Sequence, residues 1–225
     1  MSKGPNRSRT SSVMSPQSIW RCPSCRSEVR PAGDRLECLG CERSFSIVSG
    51  IPDFRLTIPR YLDAAADIAL AQELGGSSLS LEDMVRTLFS RRLDWDKARI
   101  EFRTRGVLSA RQNLHDDLEG WLKSATGREP FLDLGCGAGM LMAAATELKP
   151  GLTVMGIDAS MTWLVVARKY VSDCGGEPIL AAAMGEALPL ADESMPGIVS
   201  LDVIEHVDDP DVYLAEINRV LQPGG

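Results

Sequence analysis

The sequence predicts an α/β protein built on a doubly wound parallel sheet, with a short cysteine-marked module and a helical segment ahead of it. Three observations support this. From Glu129 onward, short apolar runs alternate with helix-length stretches; those runs are apolar at consecutive positions; and four cysteines fall in two C-x-x-C pairs near the N-terminus. Apolar strands separated by helices are the pattern of a parallel sheet buried on both faces.

Residues 1–19 (MSKGPNRSRTSSVMSPQSI) mix Ser, Pro and Arg without an apolar core, so they read as a disordered tail rather than a secretory signal. The module spans 20–56. Cys22-x-x-Cys25 and Cys38-x-x-Cys41 are separated by twelve residues. Each pair brings two thiolates onto one turn, and four converging thiolates suit the tetrahedral preference of Zn2+. The segment is too short for a sizeable core, so metal binding would supply much of its folding free energy. A dithiol redox role for one pair is the alternative, but two matched pairs exceed what it needs.

Residues 57–127 have helical periodicity. IPRYLDAAADIALAQELGG ends on a glycine pair suited to a helix C-terminus, and Ser80 stands three residues ahead of Asp83 like a capping box. RIEFRTRGVLSARQNLHDDLEGWLKSATG reads as amphipathic, with a break expected at Gly106 and His115 on a polar, solvated face. This segment is where substrate selection or a lid is expected.

Residues 128–225 contain the expected strands 130–134, 152–157, 178–182 and 197–203, with helices at 138–149, 160–173 and 209–221. In such a Rossmann-like sheet, ligands bind beyond the carboxyl ends of the strands where strand order reverses. The turn after the first strand is LGCGAG. Gly135, Gly137 and Gly139 allow a sharp turn and close approach of main chain to a ligand. A dinucleotide fingerprint, G-x-G-x-x-G, would place its third glycine where Met140 stands, which disfavours a nicotinamide-dependent oxidoreductase.

DLGCGAG (133–139), Asp158 nineteen residues after Gly139 in VMGIDAS, then GEALPLADESMPGIVSLDVIEHV and NRVLQPGG form an ordered set. It resembles class I S-adenosylmethionine-dependent methyltransferases of the type 11 kind. The resemblance implies that S-adenosyl-L-methionine is the cofactor. Main chain at Gly135, Cys136, Gly137 and Gly139 would face it, with Asp133 orienting its amino group. Asp158, followed by Ala159, would accept from the ribose hydroxyls; Gly185 and Glu186 would lie near adenine; Leu201 and Asp202 would line the methionine side. Met184 departs from the acid that the family often has there. Cys136 reads more simply as a small residue fitting a tight loop. The N-terminal module resembles the zinc-ribbon activator subunit of tRNA and translation-factor methyltransferases and the zinc module of rRNA guanine methyltransferases, implying a structural or docking role.

Methyl transfer from an activated sulfonium mainly requires alignment and exclusion of water; a general base is needed only for an acceptor of high pKa. Asp202, Glu205 and His206 are the candidates. Residues 1–60 hold ten Lys/Arg against five Asp/Glu, whereas the rest holds fourteen against twenty-six. The acidic body favours a small-molecule or lipid-like acceptor over RNA, which remains the alternative through the basic ribbon. A non-catalytic activator of another methyltransferase is a third reading, and a protein partner could dock on the ribbon. With no apolar stretch long enough to span a membrane, a cytoplasmic location is expected. The family usually has further strands after the Pro-Gly-Gly turn, so the domain is expected to be incomplete at its C-terminus, leaving 197–203 as an unprotected edge.

Overall fold

The computed structural model describes residues 19–113, 120 and 129–225. The tail 1–18, His115 and the remainder of the helical segment's end lie outside the described residues.

The cysteine module is an antiparallel meander of β1 (Val29–Ala32), β2 (Arg35–Cys38), β3 (Ser44–Val48) and β4 (Ile51–Pro52). The β3–β4 turn places Ser49 and Gly50 at φ 49° and 79°, the pair of left-handed residues that a tight hairpin requires. Three helices follow: α1 (Ala64–Gly75), α2 (Leu81–Ser90) and α3 (Lys97–Asn113). Helix α1 starts later than the sequence pattern suggests. Pro59 sits in a turn closed by the Leu62 amide, and Asp63 then caps the helix by accepting from the amides of Ala65 and Ala66. Ser80 caps α2 as expected: its Oγ accepts from the Asp83 amide at 3.1 Å and donates to Asp83 Oδ2 at 2.6 Å. The break expected at Gly106 does not occur. An internal glycine costs about 1 kcal/mol, and Ile100 and Val107, on either side of it, pack onto the core.

The second sheet contains β5 (Phe131–Leu134), β6 (Val154–Asp158), β7 (Ile179–Ala182) and β8 (Gly197–Val199), all parallel, in the order β7-β6-β5-β8. Helices α4 (Met140–Leu148), α5 (Met161–Asp173) and α6 (Pro210–Val220) connect and follow them. Strand residues alternate between two apolar layers. Val154, Leu180 and Ala182 join α1, α2, α4 and α5 in one core. Leu132, Leu134, Met155, Ile157 and Ala181 join the module and α6 in the other. The helical segment is thus part of a core layer. No helix among the described residues is long and apolar enough to cross a membrane.

Two features of the fold bear on the site. First, β8 ends at Val199 instead of 203: Asp202 adopts φ 55°, and a 3-10 turn follows at Ile204–His206. The strand pairs only with β5 among the described residues, so little holds it extended further. Second, the module docks on β7. Trp20 bridges Leu190, Asp53 bridges Ala182, and the Phe54 amide donates to the Ala182 carbonyl at 2.7 Å. Phe54 packs against Trp20 and Phe45 with ring centroids 5.5 and 4.9 Å apart. This covers an edge that would otherwise present unpaired main chain.

Candidate functional site

Strand order reverses at β5, which has β6 on one side and β8 on the other. The turn leaving β5 therefore opens into the crevice where ligands of such sheets bind. Gly135, Gly137 and Gly139 all have positive φ, at 79°, 49° and 77°, but they are glycine for different reasons. A Cβ on Gly135 would lie 2.2 Å from Val203 Cγ2, because the chain after β8 folds back over the turn. A Cβ on Gly139 would lie 2.8 Å from that of Ala167, so this glycine lets α5 pack closely. A Cβ on Gly137 would meet nothing within 4 Å. Its bare edge is the open side of the turn.

Two acids lie beneath and beside that edge. Asp133 is only 4% exposed, and its Oδ2 has no hydrogen-bond partner. Burial, reinforced by the charge of Asp158, pushes its pKa from 3.8 up to about 8. Asp158 ends β6, and its two oxygens are held apart in role. Oδ2 accepts from the Gly137 amide at 2.9 Å, and Oδ1 from the Ser160 amide at 2.8 Å. Each oxygen keeps a further acceptor position. Burial raises the Asp158 pKa too, against the pull of those amides. Cys136 is buried in the turn, and burial first, then the charges of Asp158 and Asp133, hold its thiol well above the usual value. It is a packed neutral thiol beside Gly156.

The remaining predicted residues spread around the same rim. Ala159 follows Asp158, and its carbonyl accepts from Arg55. Gly185 is pressed by the Tyr213 ring, which a Cβ would approach to 2.3 Å. Glu186 clamps the β8–α6 connection by accepting from the Asp208 amide at 2.9 Å through Oε1, while its buried Oε2 has no partner. Leu201, Asp202, Glu205 and His206 are exposed beyond β8, as is Ile204. Tyr61 escaped the sequence reading. Its side chain is 67% exposed, and partial burial together with the charges of Asp158, Glu186 and Asp208 raises its phenol pKa, so it lies within electrostatic reach of the same acids. The connection carrying it crosses the carboxyl edge after Phe54 pairs with Ala182.

A second cluster lies in the module. The Sγ atoms of Cys22, Cys25, Cys38 and Cys41 all lie within 4.8 Å of one another, with 3.8 Å between Cys22 and Cys41 and 3.4 Å between Cys25 and Cys38. Tetrahedral thiolates about 2.3 Å from a zinc ion stand about 3.8 Å apart, so the donor set fits. Cys38 Sγ also accepts from the amides of Gly40 and Cys41 at 3.3 Å. Hydrogen bonds from Ser27 lower the Cys25 thiol to about 6, whereas burial raises Cys22 to about 12.

Residues 132–225 match the family model described as a methyltransferase domain. A protein of Brucella ovis named ubiquinone biosynthesis O-methyltransferase is 36% identical over 95 residues, covering 42% of this chain and 38% of its own length. The chain thus spans well under half of the curated relatives it matches. Among solved structures, the YcgJ protein of Bacillus subtilis is 28% identical with a TM-score of 0.43, covering 49% of this chain and 48% of its own. A protein of Methanococcus maripaludis assigned as an S-adenosyl-L-methionine-dependent methyltransferase is 19% identical with a TM-score of 0.49, covering 58% and 61%.

Proposed function

We propose that this chain, whose residues 132–225 carry a methyltransferase domain, uses S-adenosylmethionine to methylate a small-molecule or lipid-like acceptor. The reading is carried by one juxtaposition: an orphaned buried carboxylate oxygen on Asp133 and the bare edge of Gly137 at the point where strand order reverses. A buried carboxylate without a partner is costly unless a ligand completes it. The amino group of the methyl donor is a cation of the right size to do so.

When bound, the cofactor supplies a methyl group already activated on a sulfonium. Asp133 orients its amino group, and main chain at Gly135, Cys136 and Gly137 lies against the methionine and ribose. Asp158 accepts from the ribose hydroxyls through the positions its two amide bonds leave free. Ala159, Gly185 and Glu186 border the adenine, and Leu201 and Asp202 close the methionine side. Gly139 acts from behind by seating α5 against the turn. Tyr61, exposed beside the same acids, would fold its ring against the ribose end and exclude water there.

Half-exposed Leu201 and Ile204 give the acceptor side an apolar lip, which suits a hydroxyl carried on an apolar molecule. The curated relatives' name, with its O-methylation in ubiquinone biosynthesis, supports the same class. Asp202, Glu205 or His206 would take the hydroxyl proton. The four cysteines would hold Zn2+ as a structural centre that keeps the module folded on β7.

The test is calorimetric titration with S-adenosylhomocysteine, followed by incubation with methyl-tritiated cofactor and a cell extract. We expect saturable 1:1 binding and label in the organic-soluble fraction. Absence of binding would overturn the reading; label confined to RNA would overturn the acceptor class alone.

A further inference from the structure

The carboxylate of Asp67 on α1 is buried, and its partners come from two distant stretches. Oδ1 accepts from Ser160 Oγ at 2.8 Å and the Thr162 amide at 3.0 Å. Oδ2 accepts from the Met161 amide at 2.8 Å and Arg55 Nη1 at 2.9 Å. Asp67 thus caps the N-terminus of α5 from another helix. Arg55, whose side chain is 1% exposed, also donates to the Ala159 carbonyl at 3.0 Å and grips Asp53 through Nε and Nη2 at 2.8 and 2.6 Å. Asp53 is the residue that bridges β7 at Ala182. From Ser160 the amide continues to Asp158, and from Asp158 to the Gly137 amide. One unbroken line of hydrogen bonds therefore runs from the module's seat on β7 to the middle of the glycine turn.

Resting on the methyl-donor site argued above, we propose that Arg55 and Asp67 are positioning residues for that site: they fix residues 158–160, and hence the Asp158 carboxylate, so that seating of the cysteine module sets the affinity for the methyl donor. A cap alone would need Asp67 and the α5 amides. The Arg55 bond to the Ala159 carbonyl adds a constraint on the residue between the ribose acid and the helix. Removing Arg55 would leave the buried Asp67 and the partly buried Asp53 without their cation, and neither could hold its present geometry. In Asp67→Asn, an amide nitrogen would face a donor in place of an acceptor, while shape is kept.

The experiment compares Asp67→Asn, Arg55→Lys and wild type with Phe131→Leu, a core change at the amino end of β5, chosen to match the thermal destabilisation. Two quantities are read: the Kd of S-adenosylhomocysteine, and amide exchange at Gly137 in the free protein. Asp67→Asn is expected to weaken binding about tenfold and to speed Gly137 exchange by a similar factor. Arg55→Lys should do both to a lesser degree, because one ammonium cannot replace the bidentate fork. Phe131→Leu should leave both within about twofold. The proposal is overturned if exchange at Gly137 is unchanged in Asp67→Asn, or if Phe131→Leu reproduces the effect. Should wild type fail to bind S-adenosylhomocysteine, the donor reading falls, and the exchange comparison still decides whether the line transmits.

Discussion

Asp133 offers the most direct physical test, because donor binding and its ionisation are opposed in the free protein. Its carboxyl titrates near 8 instead of 3.8, through burial first and the charge of Asp158 second. A cationic amino group seated against it requires the ionised form, so binding must expel a proton over the range between those two values. Each pH unit below about 8 then costs up to about tenfold in affinity, or about 1.4 kcal/mol, and about fiftyfold separates pH 6 from pH 8. The stability linkage has the same origin. Between about pH 4 and 8 the folded chain retains a proton that the unfolded chain has lost, so this group's contribution falls as pH rises and levels off above about 8. Asp133→Asn should therefore raise the melting temperature at neutral pH while weakening the methyl donor and flattening its pH profile. The assay is titration calorimetry with S-adenosylhomocysteine across this range, in buffers of different ionisation heat, so that proton release is counted. A wild-type affinity that is flat with pH and releases no proton would refute the reasoning.

Three further outcomes follow from the geometry. Gly137→Ala and Gly139→Ala should separate function from stability: each bears a left-handed strain of about 1–2 kcal/mol, but only Gly139 meets another helix. Calorimetry should show lost donor binding with a small melting shift for the first, and the larger melting shift for the second. Stripping metal with a chromogenic chelator should release about one Zn2+ per chain and lower the melting temperature; no metal released from freshly purified protein would contradict the tetrahedral reading. Tyr61→Ala should weaken S-adenosylhomocysteine several-fold, whereas Tyr61→Phe keeps the covering ring and should stay within about twofold by the same titration.

The parts legible in the sequence were those with local signatures. The strands from Phe131 to Ala182 announce themselves by contiguous apolar runs, the Ser80 cap by its partner three residues on, and the thiolate cluster by its spacing. Residues that act across long separations left no such trace. Gly139 reads like its two neighbours in the motif, yet its tightest contact is Ala167 on another helix. Asp67 looks like an ordinary first-turn acid of α1, although three of the four groups its carboxylate accepts from lie more than ninety residues away. Tyr61 sits in a connection that the pairing of Phe54 with Ala182 and the Arg55 bond to the Ala159 carbonyl bring to the carboxyl edge. Gly106 and the shortened β8 err the other way: packing carries a helix through one, and one-sided pairing ends the other.

The grip of Phe54 on Ala182 and of Trp20 on Leu190 has a temporal side. A ribosome adding about 5–20 residues per second emits the cysteine hairpins many seconds before the strand that receives them. Through that interval Trp20, Phe45 and Phe54 have no wall to lean on. A metal clasped by four sulfurs would keep the early piece in shape, so metal starvation should show itself first in newly made chains, as aggregation, before it touches those already assembled.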